Sequence, residues 1–154
     1  CPAQGVVYGA ARGTGAWQET RGGDRQRLRV SAVTTLAASR AVVTRSHRNA
    51  GLDRLLAALP EVQPQNIGSI GGKLAAIATG RAELYLSVSD RSAPKDWDYC
   101  APSVVLEEAG GTLTFGDGSP LCYNRPEVVQ WGTVLGSNGH LHAALLQRCQ
   151  AVRG

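Results

Sequence analysis

The sequence predicts an α/β domain in which sheets and helices pack in layers. Three observations carry that expectation. Short apolar runs of strand character alternate with stretches whose apolar residues recur at helical spacing. The helical stretches are closed by Pro60, Gly80 and the Gly110-Gly111 pair, residue types that end helices. Three strand ends carry polar residues: Thr44 to Arg48, Ser69 to Lys73, and Asp96 to Asp98. Ligands of open α/β sheets collect at the carboxyl ends of strands, so these three ends are expected to share one pocket.

Residues 5 to 35 carry strand and turn signals. Val6, Val7 and Tyr8 form the first strand, Gly13-Thr14-Gly15 a turn, and Ala16 to Glu19 the second strand. Arg21 to Asp24 is a further turn, followed by a strand over Gln26 to Val30. Ala41-Val42-Val43-Thr44 has the composition of a strand buried on both faces. Leu52, Leu55, Leu56 and Leu59 then mark a helix that stops at Pro60. Val62 to Ile67 is the next strand. It leads through Gly68-Ser69-Ile70-Gly71-Gly72-Lys73 into a helix from about Leu74 to Thr79. Glu83 to Val88 is a strand. The stretch after Asp98 supplies a helix with Ala101, Val104, Val105, Leu106 and Ala109 facing inward, and Trp97 serves as an apolar anchor beside it. Gly111 to Phe115 and Thr133 to Leu135 are the last strands, with a tight turn at Gly116 to Gly118. His140 to Val152 forms the C-terminal helix, with Leu141, Ala144, Leu145 and Cys149 inward. Trp17 and Trp131 are expected to pack, and His140 and His142 to lie at the surface or cap a helix. Glu107 and Glu108 are assigned to a solvated helix face and a structural partnership.

Composition narrows the function classes. Of the 154 residues, 43% are apolar and 18% charged, which supports a packed core and excludes disorder. The net charge of +4, from 16 basic and 12 acidic residues, suits a small anionic ligand. The only basic cluster, Arg21 to Arg29, is interrupted by Asp24, so nucleic acid is not an expected partner. No apolar run approaches the roughly 20 residues that a membrane-spanning helix needs. Cys1, Cys100, Cys122 and Cys149 stand far apart with no Cys-x-x-Cys pair, which argues against zinc. Mostly buried thiols in a cytoplasmic protein are the expectation, with an organelle left open. The chain begins at Cys1 and enters a strand almost at once, as expected of a fragment or a processed chain.

Residue chemistry leaves alternatives at each polar strand end. Asp98, where a loop becomes a helix, can cap free amides or can ligate a hard cation such as Mg²⁺. Thr44-Arg45-Ser46-His47 can hold an anion or a sugar hydroxyl, or can be a polar turn ahead of a helix. The glycine turn with Ser69 and Lys73 suits a phosphate, or serves close packing of helix on sheet; its spacing is not that of a P-loop.

Trp97-Asp98-Tyr99-Cys100-Ala101-Pro102, followed by Glu108-Ala109-Gly110-Gly111, resembles the C-terminal signature of the inositol monophosphatase superfamily. The Cys-Ala-Pro variant is most similar to its 3′(2′),5′-bisphosphate nucleotidase branch. The resemblance implies the C-terminal half of the inositol monophosphatase-like sugar phosphatase fold over residues 1–154, with the metal-motif half outside the chain. It implies Asp98 as a Mg²⁺ ligand, and Thr44, Ser46, His47, Ser69 and Lys73 on the substrate-binding side. The implied substrate is a small phosphomonoester, adenosine 3′,5′-bisphosphate or an inositol phosphate. The implied partner is the missing N-terminal half, with homo-oligomerisation left open. Two positions depart from the pattern: Ile70 stands where some members carry Ser, and Ser87 where some carry Arg. The sequence contains no Asp-Gly-Thr, and Glu107-Glu108 follows the Trp-Asp motif instead of preceding it. One carboxylate at Asp98 does not hold two Mg²⁺ alone, so a catalytically incomplete domain that binds nucleotide or a partner is the alternative from another class.

Overall fold

The computed structural model describes residues 1–153, and contains two sheets and four α-helices among them. The first sheet is an antiparallel meander of β1 (Val6–Ala11), β2 (Gly15–Thr20) and β3 (Arg25–Arg27). The second has five strands in the order β5-β4-β6-β8-β7. β4 (Arg40–Thr44) runs parallel to both β5 (Gln63–Ile67) and β6 (Leu84–Val88). β8 (Thr133–Ser137) runs antiparallel to β6 and to β7 (Thr112–Phe115). The helices are α1 (Ala50–Ala57), α2 (Ile70–Ala78), α3 (Asp96–Glu108) and α4 (His142–Arg153).

The period-2 alternation of the five-stranded sheet decides the layering. Val42, Tyr85 and Val134 face one way and pack with Leu74 and Ile77 of α2, Leu106 of α3, and Ala16 of the meander. Ala41, Val43, Leu84, Leu86 and Leu135 face the other way, against Leu52 and Leu55 of α1, Leu145 of α4 and Leu141 just before it. The layers are therefore three-stranded sheet, α2 with α3, five-stranded sheet, and α1 with α4. This is the layered α/β arrangement that the strand-helix order predicts.

Two clamps secure it. Arg40, at the start of β4, forms a two-nitrogen pair with the fully buried Glu83, at 2.7 and 3.1 Å, and also donates its backbone N–H to it at 2.8 Å. Glu108 accepts the backbone N–H groups of Gly13 and Gly15, both at 2.8 Å, tying the β1–β2 turn to α3. Glu108 is thus the structural partner expected, and the solvent-facing Glu107 approaches Arg12 at 4.0 Å.

Several details differ from the sequence reading. β3 is Arg25–Arg27 and not Gln26 to Val30: Leu28 is buried and still donates its N–H to the Ala16 carbonyl of β2 at 2.8 Å, but the Val30 N–H goes to Ala109 instead, at 3.1 Å. α2 starts at Ile70, so Gly71, Gly72 and Lys73 are helical. Its boundary is set by Ser69, whose hydroxyl accepts the Gly72 N–H at 2.9 Å. Trp97 is 67% exposed and Trp131 51%, so neither packs as expected. Trp97 instead carries Lys95 Nζ over its ring at 5.6 Å. Ala101 is exposed on α3, while Val105, Leu106 and Ala109 are buried. Cys1, Cys100 and Cys122 are exposed thiols, and only Cys149 is buried. His142 is buried between the hydroxyls of Thr114, at 2.9 Å, and Ser137, at 3.0 Å, and joins β7, β8 and α4; burial holds its imidazole below the ordinary range. Among the described residues, no helix is long and apolar enough to cross a membrane.

Candidate functional site

The parallel strands β4, β5 and β6 release the chain at the same end of the sheet, and a cavity of about 340 Å³ opens there. Thr44, His47, Ser69, Lys73 and Asp98 all line it. The three polar strand ends therefore do meet. Ser46 does not line this cavity and faces a neighbouring cleft.

Each side chain is placed by local structure. Thr44 closes β4, and its hydroxyl accepts the His47 N–H at 3.1 Å, folding the segment back over the opening. Ser69 caps α2 and keeps its own hydroxyl proton for a ligand. Gly72 leaves space for that cap, since a Cβ there would lie 2.9 Å from the Ser69 hydroxyl. Arg45 lies over the turn, with Nη2 3.7 Å from where a Gly68 Cβ would sit.

Lys73 is 3% exposed, and its Nζ donates to the carbonyls of Ile67 at 3.2 Å and Gly68 at 3.4 Å. It lies 5.9 Å from the Tyr85 ring centroid. No carboxylate pairs with it among the described residues. Burial lowers its ammonium from 10.5 to about 8. A cation held without a counter-charge beside a cavity is suited to an anionic ligand, which would restore its proton affinity. The sign of the shift gives a test. The unfolded chain binds the Lys73 proton between pH 8 and 10.5, and the folded chain does not, so stability from this site is full above pH 10.5 and lost as pH falls to about 8. Lys73→Met should abolish that rise, worth roughly 3 kcal/mol, in denaturant titrations of both proteins from pH 7.5 to 10.5. Superimposable pH profiles would mean that Nζ stays hydrated.

Asp98 lies within the first turn of α3, two residues past its start, and not in a loop before it. Its Oδ2 accepts the Lys95 N–H at 2.8 Å, which is a capping contact. Oδ1 has no hydrogen-bond partner among the described residues, and the residue lines the cavity. One oxygen thus organises the helix start while the other is left without a hydrogen-bond partner among the described residues, so the two readings of Asp98 are compatible. Pro102, four residues on, has no N–H to give the Asp98 carbonyl.

Sequence reasoning missed the floor of the cavity. Tyr85 lines it, and its hydroxyl lies 2.9 Å from that of the buried Tyr99, the rings meeting edge to face. Burial raises both phenols above their ordinary value. Ser87, Ser89 and Ser92 add hydroxyls to the wall. The period-2 spacing of Tyr85 and Ser87 places both on one face of β6, and that spacing was the available signal.

Residues 1–153 match the profile of the Inositol monophosphatase family. The chain belongs to this family. It is 37% identical over 82 residues to 3′(2′),5′-bisphosphate nucleotidase 1 of Rattus norvegicus, covering 53% of this chain and 26% of that one. It is 35% identical over 127 residues to 3′(2′),5′-bisphosphate nucleotidase CysQ of Escherichia coli K12, covering 82% of this chain and 48% of that one. Among solved structures it is similar to the inositol monophosphatase of Anabaena, with a TM-score of 0.73 and 25% identity over 95% of this chain and 57% of that one. The chain thus matches about half the length, or less, of these relatives.

Enzymes of this family are metal-dependent phosphatases. Asp98 is the only carboxylate lining the cavity, and no group of three or more His, Cys, Asp or Glu side chains able to hold a metal exists among the described residues. The oxygen donor at Asp98 suits a hard cation. Among the described residues no complete ligand set accompanies it.

Proposed function

We propose that this chain is the C-terminal portion of a Mg²⁺-dependent 3′(2′),5′-bisphosphate nucleotidase acting on adenosine 3′,5′-bisphosphate. The observation that carries the reading is the convergence of Thr44, His47, Ser69, Lys73 and Asp98 on one cavity at the carboxyl ends of three parallel strands. The 35% identity to CysQ of Escherichia coli over 127 residues supports the choice of substrate.

In this reading Asp98 gives its free oxygen to a Mg²⁺ whose other ligands lie outside the chain. Bound Mg²⁺ supplies Lewis acidity at the phosphoryl group. Lys73 attracts and orients the anion as a point charge. Thr44, His47 and Ser69 hold the sugar and phosphate oxygens by hydrogen bonding, without Ser46, which faces the neighbouring cleft. The buried Tyr85–Tyr99 pair gives the site a rigid floor.

The test is phosphate release from adenosine 3′,5′-bisphosphate and from inositol 1-phosphate at millimolar Mg²⁺. Both this chain and the chain joined to a carboxylate-bearing N-terminal half are assayed. The joined protein is expected to turn over the bisphosphate faster, and the chain alone neither substrate. Faster hydrolysis of inositol 1-phosphate would reassign the substrate. Steady turnover by the isolated chain would sink the claim that it lacks metal ligands.

A further inference from the structure

The connection from β6 to α3, residues 89–95, contains no helix or strand. Ser89, Ser92, Ala93 and Pro94 of it line the cavity, and it leads directly to Asp98. Its backbone is held by a segment distant in sequence. Ser89 donates its N–H to the Gly132 carbonyl at 2.9 Å, Gln130 donates to Pro94 at 2.8 Å, and Asp96 donates to Val128 at 2.9 Å. The last two contacts flank an isolated antiparallel bridge between Lys95 and Val129. Lys95 is the residue whose N–H binds Asp98 Oδ2.

One side-chain pair locks this short ladder. Gln130 has no exposed surface, and its Nε2 donates to Asp96 Oδ1 at 2.5 Å and to the Cys122 carbonyl at 2.8 Å. Asp96 Oδ2 accepts the Asn124 N–H at 2.8 Å. The orientation of the Gln130 amide is fixed, because a flip would set its oxygen against two acceptors. Its Oε1 is then buried with no hydrogen-bond partner among the described residues. A buried acceptor left unmet is costly, so selection for stability alone would not favour glutamine here. An aspartate in the first turn of a helix ordinarily serves that helix's own amides and dipole. Both oxygens of Asp96 serve Asn124 and Gln130 instead.

We propose that Gln130 and Asp96 are positioning residues of the phosphatase site: their contact sets the ladder that carries the Lys95 N–H, and so fixes where Asp98 presents its carboxylate. Neither lines the cavity, and both act through Lys95. Groups that orient a metal ligand without binding the metal are worth about ten- to a hundredfold in metal affinity or activity. The inference rests on the reading of Asp98 as a Mg²⁺ ligand, and the experiment separates the two.

Gln130→Leu, Asp96→Asn and Asp98→Asn are compared with the parent in the complete phosphatase, with adenosine 3′,5′-bisphosphate as substrate. Gln130→Leu should raise the Mg²⁺ concentration for half-maximal activity about ten- to a hundredfold. KM at saturating Mg²⁺ should stay nearly constant, since Ser69 and Lys73 stand on another element. In the metal-free protein, deuterium exchange of the backbone over residues 94–98 should quicken about tenfold. The thermal midpoint should move by no more than about 2–4 °C, because the lost hydrogen bonds are offset by removal of the unmet acceptor. A merely structural role would lower the thermal midpoint and the active fraction and leave the Mg²⁺ midpoint in place. Asp96→Asn keeps an oxygen for one of its two donors, and should shift the Mg²⁺ midpoint in the same direction by less; it carries the test if Gln130→Leu does not fold. Unaltered exchange over residues 94–98, or an unmoved Mg²⁺ midpoint where Asp98→Asn shifts it, would overturn the proposal. A parental Mg²⁺ profile in Asp98→Asn would instead remove the ligand reading, and the exchange result alone would then decide whether Gln130 sets the place of Asp98.

Discussion

Asp98→Asn in the complete phosphatase is expected to lower turnover by more than about a hundredfold, since partners that merely orient a metal ligand already cost ten- to a hundredfold when removed. The variant should fold normally. Asparagine keeps an oxygen that can accept the Lys95 N–H, so the helix start survives. What it loses is the carboxylate charge, which a Mg²⁺ site requires. Activity measured against Mg²⁺ concentration separates the outcomes. A ligand role gives a collapse at ordinary Mg²⁺ with partial recovery at high Mg²⁺. A capping role alone gives wild-type activity and an unchanged Mg²⁺ profile. The thermal midpoint without metal should barely move, because the Lys95 contact is retained.

Glu83→Ala should produce the largest loss of stability, roughly 1–3 kcal/mol, the cost of leaving hydrogen-bond donors without their acceptor, since the Arg40 guanidinium is itself 37% exposed and keeps part of its hydration. Glu83 has no exposed surface and accepts three contacts from Arg40. Alanine would leave the Arg40 backbone N–H and guanidinium without their acceptor. Burial pushes the Glu83 carboxyl up, but the hydrogen bonds and charge of Arg40 hold it below 4.5. Its contribution is therefore complete above the unfolded value of 4.5 and is lost as pH falls through the lower folded value. Glu83→Gln should flatten this part of the acid limb in denaturant titrations from pH 6 downward. An acid limb identical to that of the parent protein would show that other carboxyl groups govern it.

The layering was legible in the sequence because it rests on local periodicity. Ala41 to Val43 have the composition of a strand buried on both faces, and all three are at most 2% exposed. Leu52 and Leu55 are buried where their helical spacing puts them. The convergence of the polar strand ends was also legible, because parallel connections return each strand end to one edge. The start of α2 was not. Gly71 and Gly72 have low helix propensity, and only the Ser69 cap and the packing of Leu74 and Ile77 make them helical. Trp97 misled for another reason. Its apolar area suggests a core position, yet it is the second residue of α3 and projects outward. The Tyr85–Tyr99 contact joins residues 14 apart through tertiary packing and leaves no local pattern.

β4 and β6 are held at one end and open at the other. Arg40 and Glu83 lock the entry of both strands, whereas Thr44 and Ser87 to Val88 leave them at the cavity. Tolerance to mutation should therefore be graded along these strands. The exposed residues 45–48 and 90–92 should diversify with little penalty to folding, because the lock sits a strand's length away. A lineage of such proteins can exchange one anionic substrate for another by rewriting the open end alone. Selection for new specificity and selection for folding then act on separate residues of the same two strands.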